Sequence, residues 1–101
     1  MMKNINQLNE ALSKCKDAYK KNPLFYPFAS IIRQLEYLID VEEGKTKDFA
    51  LLKKIKIGWI AARELDGYED QKLINMLCTI SKEAEEMAVK MSRSYESKYS
   101  I

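Results

Sequence analysis

The sequence predicts an all-α protein, a small antiparallel four-helix bundle. Three observations carry that reading. Apolar residues recur at three- and four-residue spacing in four separate segments, the period of one helix face. The 101 residues contain only three Gly and two Pro, too few for many short strands and turns. The breaks that do occur, at Asn22-Pro23, Gly44 and Asp66-Gly67, divide the chain into helix-sized lengths joined by short connections. The expected helices cover about residues 5–20, 25–43, 48–65 and 70–93, in one domain spanning 1–101 with a frayed C-terminal tail.

The first segment carries Ile5, Leu8, Leu12, Cys15 and Tyr19 on one narrow stripe, with lysines on much of the opposite side. Asn4 with Gln7 three residues on resembles a capping box. Cys15 falls on the stripe, so it reads as a small core hydrophobe rather than a nucleophile.

Pro23 disfavours helix at Asn22, and Pro27 is tolerated only near a helix start. The second helix therefore begins around Leu24 to Phe28, with Gly44 just past its end. Leu24, Phe25, Phe28, Ile31, Ile32, Leu35, Leu38 and Ile39 share a broad core face. Ser30, Gln34, Tyr37 and Val41 form a second stripe away from it. Spacing leaves two readings open: packing on a neighbouring helix, or a polar-aromatic contact surface.

Thr46 or Asp48 can cap the third helix. In a continuous helix over 48–65, Leu51, Leu52, Ile55, Gly58, Trp59, Ala62 and Leu65 make the core stripe. Gly58 inside a helix costs about 1 kcal/mol relative to Ala, which implies a close approach by another backbone. Ile57 and Ile60 fall outside the stripe, which means burial on two faces or a spot for a partner. In the fourth segment, acidic residues near Glu69 and Asp70 suit a helix N-terminus. Leu73, Leu77, Ile80, Ala84, Met87, Met91 and Tyr95 continue as a seam like a coiled-coil edge, explained most simply by packing within the bundle. Cys78 falls off the seam and is expected to be partly exposed.

Composition excludes several functions. Hydrophobic residues make up 47% and charged residues 32%, a globular rather than a disordered balance. Net charge is +2, too even to imply nucleic acid; the clusters Lys14, Lys16, Lys20, Lys21 and Lys53, Lys54, Lys56 read as solvated faces. No run approaches a membrane span, and M-M-K-N-I-N-Q has no apolar region after its charge, so a cytoplasmic protein with free thiols is expected. The chain has no His, which removes Ser-His-Asp and Cys-His catalysis, H-E-x-x-H sites and Cys/His zinc sites. No phosphate-binding Gly-rich loop occurs. Glu64 and Asp66, two residues apart, do not share a helix face and make a poor acid–base pair. The reading is therefore no enzyme, no catalytic residues, no cofactor and no metal.

Two motifs point to a family. S-I-I-R-Q-L-E-Y-L, Ser30 to Leu38, fits S-x-x-x-Q-L-x-Y-[IL]. I-G-W-I-A-A-R-E-L-D, Ile57 to Asp66, fits L/I-G-x-I-A-x-[KR]-E-[FL]-D. With the preceding Asn22-Pro23, the chain from about Asn4 to Lys82 resembles the small all-helical immunity proteins that neutralise the NAD(P)-glycohydrolase effector of type VI secretion. It departs from them after Asp66, which is followed by G-Y-E-D-Q rather than an Asp-Pro pair, and in a longer fourth helix. The resemblance implies a protein without activity of its own, monomeric or homodimeric, that binds the toxin domain of a cognate effector and occludes its nucleotide cleft. Ser30, Gln34 and Tyr37 match the family pattern and form the off-core stripe; with Ile60, Arg63 and Glu64 they are the expected partner-binding residues. The alternatives are a general helical adaptor or regulator with another partner, a weak nucleic-acid binder using the Lys clusters, and an enzyme of unrecognised type.

Overall fold

The computed structural model describes residues 5–46, 49–65 and 70–99, with side chains described as far as residue 90. The described residues form four α-helices: α1 (Ile5–Lys21), α2 (Pro27–Glu42), α3 (Ile57–Glu64) and α4 (Gln71–Tyr99). A short 3-10 segment, Ala50–Lys54, precedes α3. The architecture is the expected all-α bundle. α1 packs chiefly on α2 and α3 on α4, while α1–α4 and α2–α3 contacts close the ring; the 3-10 segment lies against α4. Among the described residues, no helix is long and apolar enough to cross a membrane.

The core draws chiefly on the predicted stripes of α1, α2 and α4. Leu8, Ala11 and Cys15 from α1 meet Phe28, Ile31, Leu35, Leu38 and Ile39 from α2 and Leu73, Leu77, Ile80, Ala84 and Met87 from α4, all buried. Burying each large aliphatic side chain contributes about 1.5–3 kcal/mol. The α4 seam is thus used within the bundle; Met91 and Tyr95 lie beyond the described side chains. Burial pushes the Cys15 thiol up to about 12, as a core hydrophobe requires, whereas Cys78 is exposed.

Helix ends follow local chemistry. Tyr26 stands at the N-cap of α2 with Pro27 in its first turn, where a missing N–H costs nothing. Leu24 therefore lies outside the helix in the turn, 81% exposed, and not on the core face. Gly44 has φ 74°, and two bonds close the end of α2: Gly44 N–H donates to Val41 O at 3.2 Å and Lys45 N–H to Asp40 O at 2.8 Å. That pair is the Schellman pattern, which needs a left-handed residue and favours Gly. Val41 is buried, against its placement on the off-core stripe. Asp70 Oδ1 accepts from Leu73 N–H at 3.1 Å and caps α4. α4 continues to Tyr99, past the expected end at residue 93, with no Gly or Pro to stop it. Asn4, Asp48, Asp66-Gly67 and Glu69 fall outside the described residues.

The third element departs most from expectation. It is two pieces, not one helix over 48–65. Ile55 is extended (φ −68°, ψ 122°) and Lys56 has φ −127° and ψ 22°. This break shifts the phase of everything after it. Leu52 and Ile55 are buried before it, and Ile57, Ala61 and Leu65, at i, i+4 and i+8, after it. Trp59, Leu51 and Ala62, assigned to the core by the continuous-helix reading, are exposed instead. Of the two residues left outside that stripe, Ile57 is fully buried and Ile60 is half-buried against the core. α3 is therefore buried on one face in a shifted phase, with Ile57 on that face, rather than on two faces. Gly58 lies where α3 crosses α4: a Cβ there would sit 3.0 Å from both Cβ and Oγ of Ser81 and 3.9 Å from Cys78 Cα.

Candidate partner-binding face

The off-core stripe of α2 meets the break before α3. Gln34 is the joint. Its Oε1 accepts the backbone N–H of Lys56, the N-cap residue of α3, at 2.7 Å, and its Nε2 donates to Ser30 Oγ at 3.1 Å. The N–H at a helix start lacks an intrahelical partner, so a side-chain acceptor from another helix fixes where α3 begins. Ser30 is exposed, while Gln34 and Tyr37 are half-buried.

Beside this joint is a groove of about 200 Å³ lined by Arg33, Gln34, Tyr37, Leu51, Lys54 and Ile55. Its lining is mostly apolar in surface and includes two cations, Arg33 and Lys54. Neither Arg33 nor Lys54 forms an ion pair among the described residues.

α3 begins at this joint. Ile60 N–H donates to Lys56 O at 2.9 Å, closing the first turn that Gln34 anchors. At about 100° per residue, Trp59 and Arg63 lie together on the outer side of α3, opposite the buried Ile57–Ala61–Leu65 row. The Arg63 guanidinium sits 4.8 Å from the Trp59 ring centroid, a cation–π contact. Glu64 is exposed near the end of α3, and no described hydrogen bond or ion pair joins it to the others.

Of the six residues expected from the sequence, Ser30, Gln34 and Tyr37 are thus brought together on α2. Ile60 follows on the turn that Gln34 holds, and Arg63 belongs with Trp59 farther along α3. Gln34 meets a neighbouring element, as the packing reading of the α2 stripe has it, while Ser30 stays open to solvent. The exposed Trp59 and the groove residues Arg33, Leu51 and Lys54 were missed. The run I-K-I-G at 55–58, with two β-branched residues and a glycine, was the available signal that the helix would break there.

No curated protein and no solved structure matches the chain. A family model described as Tsi6 matches residues 3–89, most of the length, in accord with the resemblance carried by Ser30–Leu38 and Ile57–Asp66. The chain belongs to the Tsi6 family, the immunity proteins of type VI secretion.

Proposed function

We propose that this protein binds the toxin domain of a cognate type VI effector in the cytoplasm and blocks its nucleotide site, an NAD-type cleft, with no catalysis or cofactor of its own. Membership of the Tsi6 family carries this reading. The toxin is met by the face of α2 and α3, with Ser30, Gln34, Tyr37, Ile60, Arg63 and Glu64 contributing. Support for that face comes from its contiguity: one side chain, Gln34, links Ser30 on the same helix to the start of α3. A surface that is held rigid before binding loses less entropy on association.

The test is co-expression with the toxin domain encoded by the neighbouring gene, scored by survival, co-purification and cellular NAD. Protection with restored NAD and a stable complex is the expected result. Cells that die despite expression of the folded protein would overturn the immunity reading. Protection against a toxin that leaves NAD unchanged would overturn only the NAD-type cleft.

A further inference from the structure

The single Trp of this chain is not in the core. Trp59 is 55% exposed on a helix whose apolar row is already satisfied by Ile57, Ala61 and Leu65. A large aromatic left in solvent contributes little to folding and adds an apolar patch to the surface. The Arg63 guanidinium nonetheless packs on Trp59, 4.8 Å from the ring centroid. Trp and Arg are the residue types most enriched among the few that dominate protein–protein affinity.

The charged residues one helical turn to either side of Trp59 are both basic. Lys56 precedes Trp59 by one helical turn and Arg63 follows it by one, and both are exposed. Arg33 and Lys54, which line the groove beside Gln34, add two cations where α2 meets the start of α3. Glu64 is the one described carboxylate of α3, and it lies about 140° round the helix from Trp59. An aromatic knob flanked by cations is complementary to an acidic, apolar-floored depression.

We propose that Trp59, held by Arg63, is the anchor of the toxin interface and inserts into an acidic depression on the toxin domain. This rests on the immunity reading above and adds residues and a partner chemistry to it. The anchor is preformed. The cation–π contact restricts the ring before binding, and the Lys56 and Arg63 charges accelerate encounter with an acidic surface.

The probe is the catalytically inactivated toxin domain from the neighbouring gene, titrated against the full chain by calorimetry and by stopped flow. Trp59→Ala, with an unchanged circular dichroism spectrum and melting curve, is expected to weaken binding by about 30-fold or more, the scale of a hot-spot truncation. Arg63→Glu is the second variant, because its fully outward position makes it safe for folding. It is expected to slow association and to flatten the dependence of the association rate on salt. Binding of folded Trp59→Ala within about threefold of the parent overturns the anchor. An association rate of the parent protein that is indifferent to salt overturns the acidic partner. If the parent binds no toxin domain at all, the immunity reading fails, and the anchor with it, which separates that failure from the first two. Should the protein alone prove a dimer that Trp59→Ala converts to monomers, the ring belongs to a self-interface and the proposal falls.

Discussion

Gln34 of α2 accepts the backbone N–H of Lys56 at 2.7 Å, so a side chain from one helix supplies the first hydrogen bond at the start of another. The contact is long-range in sequence and sits where the third element breaks. It gives Gln34 a structural task whether or not it touches a partner. Gln34→Ala is expected to lower stability by about 0.5–1.5 kcal/mol, the net worth of one such bond. Gln34→Glu keeps an acceptor and places a negative charge at a helix N-terminus, so it should retain most of that stability. Urea unfolding of the two variants is the check. Equal losses for both would show that the Lys56 bond contributes nothing. Any loss of toxin affinity on Gln34→Ala has to be compared with this stability change before it is assigned to direct contact.

Gly58 lies at a close approach between α3 and α4. An exposed helical Gly→Ala normally gains about 1 kcal/mol from propensity. Here the new Cβ would meet Ser81 Cβ and Oγ at 3.0 Å. Ser81 Cβ is fixed to the α4 backbone, so rotating the side chain cannot relieve the contact and the helices must part. Gly58→Ala is expected to destabilise by about 1–3 kcal/mol, as overpacking does. Thermal melts of Gly58→Ala, Ser81→Gly and the double variant complete a cycle. The double variant should be more stable than the two single losses summed; strict additivity would mean that the two positions do not touch.

Cys15 gives the protein a pH dependence above neutrality. Burial raises its thiol from an ordinary 9.0 to about 12. The folded state therefore holds a proton that the unfolded state releases from pH 9 upward. Stability from this group is complete below pH 9 and is lost as pH rises toward 12, at about 1.4 kcal/mol per unit. The stability difference between the parent protein and Cys15→Ala should shrink by about 1.4 kcal/mol between pH 8 and pH 10. A difference that stays constant would mean that the thiol ionises in the folded state as readily as in the unfolded one. Exposed Cys78 should meanwhile react at once with a thiol reagent in the native protein, and Cys15 only on unfolding.

Trp59 shows where periodicity stopped being informative. The stripes of α1, α2 and α4 are uninterrupted 3.6-residue patterns, and Leu8, Leu35 and Leu77 are buried as those patterns require. In the third segment the pattern from Leu51 to Leu65 fits one helical phase. The extended Ile55 resets that phase, so Ile57 turns inward and Trp59 outward. Periodicity presupposes continuous helix, and a tertiary bond from Gln34 to Lys56 N–H is what makes the discontinuity affordable. Ser30, Gln34 and Tyr37 are legible in the sequence because they leave the core face of α2. Their grouping with Arg33 and Leu51 needs the packing of the 3-10 segment, which no local pattern encodes. The exposed ring makes a direct prediction. Fluorescence of the free protein should be quenched by iodide, with emission typical of a solvated indole. A blue-shifted, unquenched emission would return Trp59 to the core.

Asp70 bounds α4 from the other side. Its Oδ1 accepts Leu73 N–H at 3.1 Å, and its carboxylate lies 3.9 Å from Lys14 Nζ of α1. The two contacts differ in weight. The ion pair is half-exposed at both ends, and such pairs contribute between nothing and about 1 kcal/mol. The cap satisfies one of the orphan N–H groups of a long helix, and its loss costs about 1 kcal/mol. Asp70→Asn keeps the cap and removes the charge; Asp70→Ala removes both. If the cap dominates, Asp70→Asn should stay within about 0.5 kcal/mol of the parent while Asp70→Ala falls by about 1 kcal/mol, and high salt should leave that ordering unchanged. Equal destabilisation by the two variants, abolished at high salt, would assign the stability to the Lys14 pair instead. Either way, helix α4 is fixed at the end where it faces α1, and Ser81, three turns on, reaches Gly58 in a register that the Asp70 cap helps to set.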